Sequence, residues 1–174
     1  MDPREQLEML LELAEGRAVL LRAASGVSEE DARRAPAEGR WSVLECVEHC
    51  VLVEEYLRTR LQSATDSSEA VVNAKREARI REIAPTRQRR ISAPDAAVPT
   101  GRFASLAEAV RMFDQSRETT IRFIAECQDD LRAKLTTHPI LGPVNGYETL
   151  LMIAAHPRRH AGQIEEIKST LTAD

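Results

Sequence analysis

Residues 145–170, NGYETLLMIAAHPRRHAGQIEEIKST, carry the pattern that decides the fold. Apolar side chains and two histidines return at intervals of three and four residues, which predicts one long amphipathic helix. Asn145 with Glu148 three residues later is typical of a helix N-terminus. Both imidazoles therefore lie on the face that a helical bundle would bury. That face consists of Ile153, His156, His160, Ile164, Ile167 and Leu171.

Three further amphipathic stretches precede this helix, and two of them begin at a capping box, Ser42 with Glu45 and Ser105 with Glu108. The stripe of the third stretch continues for about thirty residues, as far as Leu135. One helical turn is also expected at residues 28–34. The four predicted helices cover residues 4–24, 42–64, 105–135 and 145–170.

The connection between the second and third helices is far longer than an antiparallel hairpin needs. It spans about forty residues from Thr65, holds Pro85, Pro94 and Pro99, and has room for a peripheral helix within residues 68–83. We therefore expect these two helices to run parallel. The sequence predicts an all-α protein, a four-helix bundle with a long crossover between helices 2 and 3.

The bulk composition agrees with one helical domain over residues 1–174 and excludes several function classes. The 24 basic and 28 acidic side chains are interspersed and give a formal charge of −4, so a nucleic-acid partner is not expected. The run of Arg87, Arg89 and Arg90 is interpreted as a solvated loop rather than a phosphate-contacting patch. No apolar stretch approaches the ~20 residues that span a bilayer, and the N-terminus lacks a signal-peptide core. A cytoplasmic protein without membrane contact is expected.

Three histidines are the candidate metal ligands. His49 lies on the inward stripe of the second helix, and His156 and His160 are four residues apart on the fourth. This spacing projects two imidazoles from one face, close enough to share an ion. The alternative is that each histidine is a core residue bonded to a carbonyl or carboxylate. A shared ion would partner all three rings, and three protein ligands leave the open positions of catalytic zinc sites.

The motifs around these histidines are spread from the second helix to the end of the fourth. They are Trp41-Ser42, His49, His138-Pro139-Ile140-Leu141-Gly142-Pro143, and His156-Pro157-Arg158-Arg159-His160-Ala161-Gly162-Gln163-Ile164. Together they resemble the DinB-like superfamily of metal-binding four-helix bundles, which includes bacterial thiol transferases. The resemblance implies that His49, His156 and His160 bind a divalent transition metal, with zinc or nickel usual in relatives. It also implies a small-molecule substrate, including a low-molecular-weight thiol in some relatives.

Five other residues bear on this site. Pro157 removes the amide that would bond the Ile153 carbonyl, which predicts a kink or bulge between the paired histidines. Gln163 either orients a ligand through a hydrogen bond or is a solvated or helix-contact residue. Trp41 is interpreted as a packing anchor rather than a substrate platform, and Cys46 as a buried thiol rather than a ligand. His138 is interpreted as a surface or loop-packing residue rather than a fourth ligand.

Two functional hypotheses follow from the predicted site. The first is a metal-dependent enzyme, a thiol S-transferase or hydrolase that acts on a small electrophilic molecule. The second is a non-catalytic metal-binding stress-response module that dimerises through a bundle face, because no inward carboxylate is placed beside the histidines to act as a base. No catalytic residue is assigned from the sequence.

Overall fold

The computed structural model describes residues 1–88, 92–138 and 141–171. Arg89, Arg90, Pro139 and Ile140, which belong to two of the motifs above, lie outside the described residues. Within the described residues, no helix has both the length and the apolar content that crossing a bilayer requires. The α-helices are α1 (Pro3–Ala24), α2 (Glu29–Arg33), α3 (Val43–Gln62), α4 (Ala74–Ile83), α5 (Leu106–Glu126) and α6 (Gly146–Leu171).

The predicted helix starts are confirmed. Ser42 accepts the Glu45 amide while Glu45 accepts the Ser42 amide, so α3 begins at a complete capping box. The cap of α6 is likewise reciprocal, because Asn145 accepts the Glu148 amide and Glu148 accepts the Asn145 amide. These side chains satisfy backbone donors that the first helical turn leaves without partners.

The α5 cap is one-sided: Ser105 accepts the Glu108 amide, and Glu108 accepts the Ala104 amide instead.

The four long helices α1, α3, α5 and α6 form a bundle with two apolar clusters along its axis. Between the clusters lies a buried layer to which each helix contributes, with Gly16 from α1, Glu54 from α3, Arg117 from α5 and Pro157 from α6. Gly16 is required here, because a Cβ at this position would meet the Ala154 carbonyl oxygen at 2.4 Å. The glycine therefore allows α1 and α6 to pack closely.

The prediction of a third helix reaching Leu135 is wrong. Helix α5 ends at Glu126, and Asp130 accepts the Arg132 amide in the turn that follows. Leu131 and Leu135 keep helical spacing in sequence, but Leu131 is buried in that turn and Leu135 lies in a strand. The spacing misled because a buried residue in a turn and a half-buried residue in a strand happen to continue the sequence interval of the helix.

A small antiparallel sheet, which the sequence patterns did not predict, closes one end of the bundle. Its strands β1 (Thr65–Asp66), β2 (Lys134–His138) and β3 (Gly142–Asn145) lie in the order β1-β2-β3. Leu135 pairs with both Thr65 and Asn145, and His138 pairs with Gly142. The sheet connects the end of α5 to the start of α6.

The connection from α3 to α5 contains β1, α4 and a 3₁₀ turn at Asp95–Ala97. Polar contacts between α3 and α5 follow the same order along both helices. Glu54 contacts Arg117, and one turn later Arg58 contacts Thr120. Helices α3 and α5 therefore run parallel, as expected. The connection between them has to return along the bundle, and parts of it lie beside α3 and α6.

Candidate metal centre

The three histidines meet inside the bundle. His49 of α3 faces His156 and His160 of α6, with ring centroids 4.9 and 4.7 Å away, and the two α6 rings are 4.5 Å apart. One ring nitrogen from each lies within 4.8 Å of the other two. His49 and His160 are buried and His156 is half-buried. The structure thus brings together all three residues that the sequence singled out as metal ligands.

The crossover fixes the orientation of His49. Its Nδ1 lies 2.6 Å from the carbonyl oxygen of Ala97, in the 3₁₀ turn. A carbonyl only accepts hydrogen bonds, so Nδ1 carries the proton and Nε2 keeps its lone pair. The neighbouring Glu48 is fully buried and accepts the amides of Thr100 and Arg102, which holds this part of the crossover against α3.

The paired histidines of α6 are spaced as ligands of one ion would be. His160 Nε2 lies 3.2 Å from His156 Nε2, while His160 Nδ1 lies 3.1 Å from Gln163 Oε1. Two imidazoles on a tetrahedral ion at ~2.0–2.1 Å have nitrogens about 3.3 Å apart. The donor set of three neutral nitrogens therefore fits a divalent transition metal such as zinc.

Burial keeps the three rings ready to bind such an ion. Desolvation lowers the pKa of His49 and lowers those of His156 and His160 well below the usual value. The pKa of His156 is lowered further by His160 and His49, and that of His160 by His49 and Arg159. The rings are therefore neutral at neutral pH, which is the form that binds metal.

Helix α6 continues through Pro157, and Arg117 supplies the hydrogen bond that the proline removes. The Ile153 carbonyl, four residues before the proline, accepts from Arg117 Nη2 at 3.0 Å. Arg117 also donates to the Leu13 carbonyl of α1 and forms a fully buried ion pair with Glu54 of α3. One guanidinium thus binds all three neighbouring helices next to the histidines.

The sequence interpretation missed Arg117 and Glu54. Both are charged residues on apolar stripes, since Arg117 lies four residues after Phe113 and Glu54 four after Cys50. Thr120 completes the group by donating its hydroxyl to Glu54 at 2.7 Å. A charge on a buried face needs a partner of opposite charge. The two charged residues on apolar stripes could therefore have been predicted to pair with each other.

The other sequence candidates take different positions. Trp41 packs on the rings of His49 and His160, at centroid distances of 4.6 and 6.1 Å. Cys46 is fully buried, burial raises the pKa of its thiol, and it does not belong to the histidine cluster. His138 is outside the cluster, but it ends strand β2 instead of lying in a loop, and its Nδ1 accepts the Leu141 amide.

Two surface cavities flank Trp41. The larger, of about 570 Å³, is lined by Trp41, Arg33, Arg40 and Glu45 among others. The smaller, of about 270 Å³, lies between Trp41 and Gln163. Because Trp41 and Gln163 both contact His160, solvent-filled space lies one side chain away from the histidine cluster.

Comparison with solved structures shows the same fold. The chain is similar to TT2238, a four-helix bundle protein, with a TM-score of 0.60 and 21% identity over 92% of this chain and 98% of the other. It is also similar to YfiT from Bacillus subtilis, described as a probable metal-dependent hydrolase with an unusual four-helix bundle topology. The TM-score there is 0.62, with 13% identity over 99% of this chain and 90% of YfiT.

Sequence comparison gives a curated relative and a family. Uncharacterized protein YuaE from Bacillus subtilis (strain 168) is 24% identical over 146 residues, which cover 84% of this chain and 88% of YuaE. The family model of the DinB superfamily matches residues 12–164. The resemblance drawn from the histidine motifs is thereby confirmed, and the chain belongs to the DinB superfamily.

Proposed function

We propose that this protein is a metal-dependent enzyme in which His49, His156 and His160 hold one divalent ion, zinc or nickel, beside a small electrophilic substrate. The observation that carries the proposal is the convergence of three neutral imidazoles, with the Nδ1 atoms of His49 and His160 on acceptors and His160 Nε2 facing His156 Nε2. Three protein ligands leave coordination positions for reactants. YfiT, which shares the fold, is described as a probable metal-dependent hydrolase.

An ion held by three neutral nitrogens keeps its full charge and, when bound, supplies Lewis-acid activation of a water or a thiol. The residues of this chain hold the ligands, shield them and shape the local potential. Trp41 covers the rings of His49 and His160, which limits solvent on that side. The Arg159 guanidinium lowers the pKa of all three histidines, so it adds positive potential that favours an anionic nucleophile.

These properties suit two reactions, hydrolysis by an activated water and transfer of a low-molecular-weight thiol to an electrophile. Both need a nucleophile made anionic near neutral pH, and in both the ligands remain neutral. The small-molecule substrate would reach the histidines from the cavities beside Trp41.

The test loads the purified protein with zinc or nickel and assays two panels. One contains activated esters and amides, and the other pairs low-molecular-weight thiols with chromogenic electrophiles. His49→Ala should abolish turnover, whereas His138→Ala, a histidine outside the cluster, should leave it unchanged. The proposal fails if His49→Ala and the unsubstituted protein turn over equally.

A non-catalytic metal-binding module is the second candidate. It is favoured by the composition of the cluster, which within residues 1–88, 92–138 and 141–171 includes no Asp or Glu that could act as a base. The two candidates can be distinguished with cobalt-loaded protein. In an enzyme, an added thiol or imidazole should bind to the cobalt ion and change the absorption spectrum of the ion. A spectrum that ignores such ligands would favour the module.

A further inference from the structure

We propose that Arg87 selects the tautomer of His160 by way of Gln163, and so acts as a positioning residue for the metal centre; as a statement about metal binding, this rests on the proposed function. Arg87 lies in the crossover, after α4, and its Nη1 donates to Gln163 Oε1 at 2.8 Å. The same oxygen lies 3.1 Å from His160 Nδ1. Three residues from two distant parts of the chain thus form one line that ends at a candidate ligand.

The donor inventory decides the direction of each bond. Arginine has five N–H donors and no acceptor, so the Gln163 atom that faces Arg87 is the amide oxygen. That oxygen also faces His160 Nδ1, and an oxygen can only accept, so Nδ1 carries the ring proton. His160 Nε2 is then left with its lone pair, directed at His156 Nε2 3.2 Å away.

Without Arg87, the amide of Gln163 could rotate and present its NH₂ group to the ring. His160 Nδ1 would then accept, the ring proton would move to Nε2, and the atom that faces His156 could no longer bind an ion. The arginine therefore matters because it makes one of two near-equal amide orientations unfavourable.

Arg87 is itself held in place, so the interpretation of its basic run as a solvated loop is wrong for this residue. Its Nε and Nη2 donate to the two carboxylate oxygens of Glu166 at 2.8 and 2.9 Å, a bidentate pair that fixes the guanidinium plane. Gln163 lies one turn beyond His160 on α6, and Glu166 lies three residues after Gln163. The rigid planar pair keeps Nη1 aimed at the amide oxygen.

The same crossover orients His49 through the carbonyl of Ala97. Two of the three candidate ligands therefore take their tautomer from a connection that contributes no ligand of its own. This parallel supports a positioning role for the crossover beyond joining α3 to α5.

The first readout is the ring tautomer in metal-free protein, measured by two-bond ¹H–¹⁵N NMR at pH 8 on protein with labelled histidine, of which the chain has 4. The unsubstituted protein should show His160 with the proton on Nδ1. Arg87→Met should shift it toward Nε2–H. Arg79→Met, which removes an exposed α4 arginine paired with Glu82, is the matched control and should change nothing.

The second readout is zinc affinity, measured by competition with a chromophoric chelator. Arg87→Met should weaken binding about 10–100-fold, the usual effect of losing a partner that orients a ligand. Adding Gln163→Glu should restore most of the affinity and the Nδ1–H tautomer, because a carboxylate only accepts and needs no arginine to choose its orientation. A merely structural role for Arg87 would not be rescued by a change at Gln163.

The outcomes separate this inference from the proposed function. If neither the unsubstituted protein nor any variant binds zinc, the proposed function fails. The tautomer measurement still tests whether Arg87 acts on His160 through Gln163. If Arg87→Met keeps the Nδ1–H tautomer, the inference is overturned, even where zinc binds. Gln163→Leu gives an independent check, since it should release the tautomer with Arg87 intact.

Discussion

Replacing Glu54 by glutamine should lower the free energy of unfolding by about 3–5 kcal/mol, because it leaves the Arg117 guanidinium buried without its counter-charge. Arg117 is 0% exposed and Glu54 2%. The carboxylate accepts from Arg117 Nε and Nη2 and from the Thr120 hydroxyl, at 2.7–3.2 Å. Each hydrogen bond to a charged group contributes about 1.5–3 kcal/mol. Glutamine keeps one accepting oxygen and turns an NH₂ group toward the same donors.

Equilibrium urea unfolding of metal-free protein, followed by far-ultraviolet circular dichroism, measures this loss. The midpoint urea concentration should fall, while the dependence of the free energy of unfolding on urea concentration stays unchanged. The matched control is Asp114→Asn, which removes the charge of a partly exposed ion pair with Arg17, and it should cost less than about 1 kcal/mol. If Glu54→Gln costs no more than the control, the guanidinium does not hold the helices as described.

Three further changes test other parts of the structure. Gly16→Ala should destabilise the fold by about 1–3 kcal/mol despite the better helix propensity of alanine, because its Cβ would lie 2.4 Å from the Ala154 carbonyl oxygen; unchanged urea stability would contradict this. Without metal, stability should fall as the pH drops below 6.5, because burial lowers the folded-state pKa of His49, His156 and His160 and the unfolded chain takes up protons first; a flat pH profile would refute it. Zinc at about 100 times its dissociation constant should add about 2.7 kcal/mol to the free energy of unfolding, a gain that His160→Gln should remove.

The sequence predicted the bundle because its signals are local. Capping residues such as Ser42 and Asn145 bond amides three residues away, so their role is visible without knowledge of the fold. The candidate ligands were likewise found from spacing within one helix and from the inward stripe of another.

The features missed depend on contacts between distant segments. The β2–β3 hairpin follows a turn whose Leu131 continues the helical spacing of α5, so the apolar pattern alone did not reveal where the helix ends. The Ile153 carbonyl finds its donor in Arg117, and His160 is linked to Arg87 through Gln163. Such pairings depend on how the crossover and helices pack, which periodicity does not encode.

Pro157 shows how a local rule and a tertiary contact combine. The rule that proline frees the carbonyl four residues earlier is correct, and the structure shows that Arg117 donates a hydrogen bond to this carbonyl. The rule could not predict that a buried arginine would bond this carbonyl and keep α6 continuous between its two histidines.

The most direct test of the central claim is an anomalous difference map from crystals of zinc-loaded protein, collected above and below the zinc absorption edge. The structure predicts a single strong peak about 2.0–2.1 Å from the Nε2 atoms of His49, His156 and His160. The Nδ1 atom of His49 should bond the Ala97 carbonyl, and that of His160 should bond Gln163. A peak elsewhere, ligation through Nδ1, or no peak at full zinc loading would contradict the account.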